Sequence, residues 1–198
     1  MQLIKSPECH YLNHLHLDTQ FVSRLWKNLP YMIKPISLSD VAIRTEIKAG
    51  DLGYIVWLHG TIYEREYHYG PSFESYVAGG LHEFYSQYDP ERDRVWICEY
   101  GDKIIGFLLI MHRSSSLAQL RFFILIPEFR GLGLGRLLMD CFMKFLQEAN
   151  YRAAFLWTTN EQIQAASLYR HYGFRLTEQK ESGIFGKLLI EQRYDFQL

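Results

Sequence analysis

The sequence is poor in cysteine: three in 198 residues, widely separated and odd in number, which excludes a disulfide framework. Cys98 falls in a strand-like run and Cys141 on the apolar face of a helical repeat, so both read as reduced core thiols, and a cytoplasmic location is expected. A basic stripe is also missing. Lys and Arg total 21 against 22 Asp and Glu, the formal charge is -1 and the pI about 6.7, which argues against a nucleic-acid surface. No apolar run approaches the roughly 20 residues of a membrane span. The first residues lack a basic segment followed by a long apolar core, so no signal peptide is expected. Neither Gly-x-Ser-x-Gly nor His-Glu-x-x-His occurs, which removes two common hydrolytic sites. What is plentiful is apolar content, 48% hydrophobic with 16% aromatic, enough for a packed core.

The most informative stretch is Arg130, Gly131, Leu132, Gly133, Leu134, Gly135 and Arg136. The apolar run 120–126 precedes it, and a helical repeat (Leu134, Leu137, Leu138, Cys141, Phe142, Phe145, Leu146) follows. Strand, glycine loop and helix together present free backbone N–H groups at the positive end of a helix, where an anion binds. A P-loop would need Lys-Ser/Thr after its last glycine, and Arg136-Leu137 does not supply it. A dinucleotide fingerprint would need its third glycine one residue later than Gly135. Arg-x-x-Gly-x-Gly, read at Arg130, Gly133 and Gly135, remains. Further on, residues 165–174 run Ala-Ala-Ser-Leu-Tyr-Arg-His-Tyr-Gly-Phe, a helix stopped at Gly173 with Phe174 opening a strand.

These two signatures, in this order, resemble those of the GNAT superfamily of N-acetyltransferases. The order of elements agrees. A strand is expected at 41–47, helices from 50 and over 72–88, strands at 94–100 and 103–111 around the Gly101-Asp102 turn, and a strand at 117–126. A helix at 133–150, a strand at 153–158, a helix at 161–171 and two closing strands around Ser182-Gly183 complete it. The expected fold is α/β (α+β), a mixed sheet of about seven strands with helices on both faces, splayed between the fourth and fifth. The domain is expected over 40–198. Residues 1–39 form an extension whose one amphipathic segment carries Phe21, Val22, Leu25, Trp26 and Leu29. That face and an exposed strand are two routes to a homodimer. Cys9, His10, His14 and His16 fit no standard metal spacing and read as solvated; no metal is expected. The segment Asp-Leu-Gly-Tyr-Ile-Val-Trp-Leu-His-Gly at 51–60, with Tyr63, Glu66-Tyr67 and Phe73-Glu74, further resembles the acetyltransferase half of MarR-regulator fusions. About forty residues precede the domain, too few for a winged-helix half, so direct DNA binding is not expected.

The resemblance implies acetyl-coenzyme A as cofactor and an amine, of a small molecule or a protein, as acceptor. The pantetheine arm would pair with the backbone of Phe123 and Leu125, with Ile124 between them. The pyrophosphate would rest on the N–H groups from Arg130 to Gly135, each charge-assisted bond worth about 1.5–3 kcal/mol. Arg136 reads either as a further phosphate contact or as a solvated arginine. Tyr169 matches the family's tyrosine that protonates the leaving thiolate, against the plain reading of a core tyrosine. A lysine-like amine must lose a proton at pH 7 across about 3.4 units, about 4.6 kcal/mol, so a base is expected. Candidates are His59, Glu64, Glu66, Glu74 and His82, with Glu66 preferred; solvated helix residues are the alternative. Some relatives carry a glutamate base on the strand where this chain has Gln119, which cannot take a proton. The family's pantetheine-holding Asn falls at Gln162, with Asn160 two residues earlier; Asn160 is carried as the candidate. The aromatic cluster Tyr63, Tyr67, Tyr69, Phe73 and Tyr76 suggests an apolar or cationic acceptor, or core. An acyl-CoA sensor without turnover is the alternative function.

Overall fold

A computed structural model of the chain describes residues 36–198. Cys9, His10, His14, His16 and the amphipathic segment 21–29 lie outside the described residues. The compact unit Ser37–Leu198 is therefore described by itself.

Its strands are β1 (Ala42–Arg44), β2 (Arg94–Tyr100), β3 (Lys103–His112), β4 (Leu117–Leu125), β5 (Ala153–Thr159), β6 (Arg175–Ser182) and β7 (Leu189–Gln197). Its helices are α1 (Asp51–Tyr67), α2 (Pro71–Ser86), α3 (Leu134–Glu148) and α4 (Ile163–His171). Among the described residues the strands form one seven-stranded sheet in the order β1-β2-β3-β4-β5-β7-β6. Every neighbouring pair is antiparallel except β4 and β5. The expected mixed sheet is thus the observed one.

Strand periodicity explains why both faces need a cover. In β2, Val95 and Ile97 join the cluster formed by Ile55, Leu58, Ile62, Val77, Leu81 and Phe84 of α1 and α2. The intervening Trp96 turns to the other face, where its ring meets Phe145 of α3 edge-on at 6.0 Å. In β3 both sets are fully buried, from Phe107 to Met111. In α3 the core positions Leu138, Met139, Phe142, Phe145 and Leu146 follow a helical repeat.

β1 is shorter than the expected 41–47 strand, for a visible reason. Arg44 turns its guanidinium onto Asp51 with two 2.8 Å contacts, and the Lys48 N–H donates to the same carboxylate at 2.6 Å. The chain after Arg44 is drawn into that turn instead of continuing the ladder. Gly50 precedes α1 with φ 95 and no side-chain cap, so Asp51 supplies the anion at the helix start. Burial alone would raise the Asp51 carboxyl. The Arg44 fork and the Lys48 N–H outweigh it and hold its pKa below the ordinary value. The contribution to stability is therefore present above about pH 4 and is lost as pH falls through the depressed value. Asp51→Ala leaves Arg44 without its main partner and is expected to lower unfolding free energy by about 3 kcal/mol, read by urea denaturation. A loss confined to a few tenths would assign the pair no role in anchoring α1.

Candidate active site

β4 and β5 share a ladder only from Leu117 with Ala153 to Gln119 with Phe155. Beyond it each strand keeps its other neighbour. β4 stays on β3 to Leu125, opposite Gly106, and β5 stays on β7 to Thr159, opposite Glu191. The two strands therefore open from Leu120 onward. A bulge in β4 marks the opening: Arg121 pairs Leu109 and Ile124 pairs Phe107, so Phe122 and Phe123 both face Leu108. Phe122 adopts φ 53, left-handed backbone that costs a non-glycine residue about 1–3 kcal/mol. The Ile126 N–H donates to Ile105 on β3. Strand alternation then turns the N–H and C=O of Phe123 and Leu125 toward the gap and those of Ile124 toward β3.

The chain leaves β4 through a short 3-10 turn, Pro127–Phe129, and enters α3 through Gly131 (φ 79) and Gly133 (φ 90). Both glycines hold left-handed backbone, and a Cβ added to either would meet nothing within 4 Å. Among the described residues the N–H groups of Gly131 to Arg136 donate to no backbone acceptor. They point outward at the positive end of a 15-residue helix. The Arg130 N–H is different: it donates to Pro127 at 3.1 Å and is already used. The donor ring thus starts at Gly131, one residue later than the sequence suggests. The Arg130 side chain bridges instead. Its Nε donates to the Leu125 carbonyl at 3.1 Å and its Nη1 to Glu66 at 2.9 Å.

Two cavities flank the opening. The outer, about 780 Å³, is lined by Phe123, Ile124, Leu125, Arg130, Gly131, Gly133, Gly135 and Arg136 with the first turns of α4. The inner, about 80 Å³, is walled by Tyr63, Tyr69, Phe73, Tyr76, Phe122, Trp157 and Phe185, with His59, Gln119 and Arg121. Tyr63, Phe123, Gln162 and Tyr169 line both. Tyr169 is buried, and among the described residues its hydroxyl has no hydrogen-bond partner. Burial, then the neighbouring Tyr63, raises its pKa well above the usual phenol value.

The acetyltransferase (GNAT) family model matches residues 59–174. The chain belongs to that family. It is similar to the uncharacterized N-acetyltransferase YjgM of Escherichia coli, 28% identical over 97 residues, 48% of this chain and 58% of that protein. It is also similar to N-acetyltransferase 8B of Rattus norvegicus, 26% identical over 141 residues, 64% of each. The chain thus spans about three-fifths of the length of these relatives. Among solved structures, an acetyltransferase from Streptococcus agalactiae shares the fold at TM-score 0.63 and 18% identity, covering 81% of this chain and all of that one. A spermidine N-acetyltransferase from Vibrio cholerae, in complex with CoA and spermine, does so at TM-score 0.60 and 22% identity, covering 80% of this chain and 96% of that one.

The remaining sequence candidates of this GNAT-family chain fall in distinct places. Glu66 lines only the outer cavity, where it pairs with Arg130. Asn160 lines neither. Its Oδ1 accepts from the Ile190 N–H at 3.0 Å and its own N–H donates to Ile190, pinning the end of β5 to β7. Gln162 stands at the junction instead, its Oε1 accepting from Tyr63 and Thr158, each at 3.3 Å. Leu134 is buried, so it reaches a ligand only through its N–H, and the Leu132 side chain lines neither cavity. Glu64, Glu74 and His82 are exposed and away from both. His59 is buried on the inner wall. Gln119 lies there too, its Oε1 held by Arg113 Nε at 2.7 Å. Of the expected aromatic wall, Tyr67 belongs to the outer cavity and the others to the inner. Phe122, Trp157 and Phe185 were not foreseen. Phe185 comes from the β6–β7 loop, which Lys187 holds in place by donating to Glu161 at 2.6 Å. No local pattern marks it.

Proposed function

We propose that this protein transfers an acetyl group from acetyl-CoA to a primary amine by direct attack, within the domain 40–198. The observation that carries the reading is the meeting of two cavities at Tyr169, a buried ring whose hydroxyl has no partner among the described residues. The outer cavity fits the cofactor. The free N–H groups from Gly131 to Arg136 suit a diphosphate, the gap-facing backbone of Phe123 and the Leu125 N–H suit an extended amide chain, the Leu125 carbonyl being held by Arg130 Nε, and left-handed glycines leave space where a Cβ would project. Bound there, acetyl-CoA supplies an activated thioester. Tyr169 would give its proton to the leaving sulfur, and the proton shed by the amine nitrogen as the amide forms would restore the Tyr169 phenol or leave to solvent; Gln162 orients the neighbouring Tyr63. The inner cavity receives the amine.

Glu66 serves this scheme best as the carboxylate that fixes Arg130 beside the loop; its ion pair and its place in the outer cavity support that role over a base. Kinship with the acetyltransferase half of MarR-regulator fusions rests on the segment 51–60, which supplies Asp51 and His59. The test is direct: calorimetric titration with coenzyme A, then thiol release with a panel of primary amines. Tight coenzyme binding with no amine-dependent turnover would reassign the protein as an acyl-CoA sensor, a reading favoured by Gln119 standing where relatives carry a base. No heat on titration would remove the proposal.

A further inference from the structure

Arg121 is the one lysine or arginine among the described residues that line the inner cavity. Its side chain is 10% exposed. The guanidinium lies 4.6 Å over the Phe122 ring and 5.5 Å over that of Tyr76, and its Nη1 donates to Glu83 at 2.9 Å. That carboxylate is shared. Arg113 Nη1 takes the other oxygen of Glu83. The Arg113 hydrogen bond, outweighing the burial that opposes it, holds the Glu83 carboxyl below its ordinary value, and Arg121 contributes less. Two guanidiniums thus face one carboxylate, and one positive charge is left over. Glu191, the one carboxylate among the described lining residues, does not meet it, since Lys180 stands 3.7 Å from Glu191. A guanidinium presents its N–H donors in a planar fork. Among the described residues only Nη1 of Arg121 finds an acceptor, Glu83 with the Met111 sulfur at 4.0 Å; Nε and Nη2 donate to nothing.

Gln119 stands two residues back, on the same side of β4 and before its bulge. It is buried, and Arg113 Nε donates to its Oε1 at 2.7 Å. That bond fixes which end is oxygen and leaves the amide nitrogen as a donor with no acceptor. Among the described residues His59 Nε2 is the one side-chain nitrogen or oxygen that is both closed from solvent and unpartnered. The spare N–H groups of Arg121 and Gln119 are therefore unpartnered yet accessible, on a wall that both residues line. Donors in such a place are nearly always paired, charged ones above all. They ask for an anion. A carboxylate brings one negative charge and matches a guanidinium fork. A phosphate ester would bring about 1.5 to 2 charges, more than the single one left over. Most of the remaining wall is aromatic and suits an apolar stem.

We propose that Arg121, with the Gln119 amide beside it, reads a carboxylate on the acceptor, and that the acceptor is an α-amino acid with an apolar side chain, not a plain alkylamine or a polyamine. This rests on the transferase reading above and adds to it the class of substrate.

L-Phenylalanine and 2-phenylethylamine share a ring and a primary amine and differ in the carboxylate; L-leucine and 3-methylbutylamine differ in the same way. Compared per mole of unprotonated amine, wild-type kcat/KM should favour each amino acid at least about 10-fold, the worth of one hydrogen bond to a charged group. Arg121→Met keeps an unbranched stem against Phe122 and Tyr76 and removes the charge. In it the preference should vanish, the amino acids losing at least about 10-fold while the plain amines hold or gain. An arginine serving only to hold Glu83 and the rings would lower both members of each pair alike. Coenzyme A affinity should not change, which also shows that the variant is folded. A second measurement needs neither variant nor turnover. Calorimetry on wild-type protein saturated with coenzyme A should find L-phenylalanine bound at least about 10-fold more tightly than 2-phenylethylamine. Equal use or equal binding of the two members of a pair by wild-type protein, spermine used better than L-leucine, or an amino-acid preference intact in a folded Arg121→Met would each overturn the proposal. If wild-type protein fails to bind coenzyme A, the transferase reading falls first; if it binds and acetylates plain amines as readily as amino acids, only the carboxylate contact falls.

Discussion

Gly133→Asp is expected to weaken coenzyme A binding by at least about 100-fold, about 2.7 kcal/mol, while the protein still folds. Gly133 is the residue before α3, at φ 90, with nothing within 4 Å of the place a Cβ would occupy. The open space is therefore on the ligand side of the loop. An aspartate there acts twice. Its carboxylate stands where the diphosphate would lie, and it can take the N–H groups of Gly135 and Arg136, the donors a phosphate needs. The same change is tolerable to the fold. Left-handed backbone costs a non-glycine residue about 1–2 kcal/mol, and a negative charge at a helix start returns about 0.3–1 kcal/mol. Gly133→Ala separates the two effects, since it brings the backbone cost without the charge and should lose much less affinity. Calorimetry on both variants, with melting curves as control, decides. Normal affinity in Gly133→Asp would take the diphosphate away from this loop.

What the sequence could reveal depended on whether chemistry was local in the chain. The loop was legible because its glycines, its flanking arginines and the following helix are consecutive, and their meaning is set by backbone geometry. Tyr169 was legible by its spacing to Gly173 and Phe174. The inner cavity was not, since His59, Phe122, Trp157 and Phe185 come from α1, β4, β5 and the β6–β7 loop and meet only through tertiary packing. Glu66 illustrates the same limit: its partner, Arg130, is 64 residues away, and no local pattern announces the pair. The bulge at Phe122 is set by register against β3. Gly80, inside α2, has its reason in the same packing. A Cβ there would stand 2.5 Å from the Phe122 ring and 2.6 Å from the Arg121 guanidinium, so the glycine admits both groups to the inner wall.

Tyr169→Phe should lower kcat by roughly 10²–10⁴-fold and leave coenzyme affinity and stability close to wild type. Stability should hold because the hydroxyl gives up no hydrogen bond, while the ring keeps its contacts with Phe123, Phe174 and Tyr194 at 6.3–6.5 Å. The raised pKa fixes the pH behaviour. A phenol pushed above its usual value of about 10 keeps its proton at every assay pH below that, so no descending limb in kcat should arise from Tyr169. The rate should instead rise with pH as the acceptor amine loses its proton. A buried phenol is a weak acid, and an aqueous thiol has a pKa near 8.5, so in water the transfer would run uphill. The junction changes that comparison. The sulfur would develop its charge against the same buried ring, where burial raises the proton affinity of a thiolate as it does that of a phenolate. Donor and acceptor are then matched by a shared environment, and the hydroxyl has no competing partner to satisfy before it turns to the sulfur. Normal turnover in Tyr169→Phe would leave the hydroxyl without a part in the reaction and move the search for a proton donor to Tyr63 and the other groups where the cavities meet.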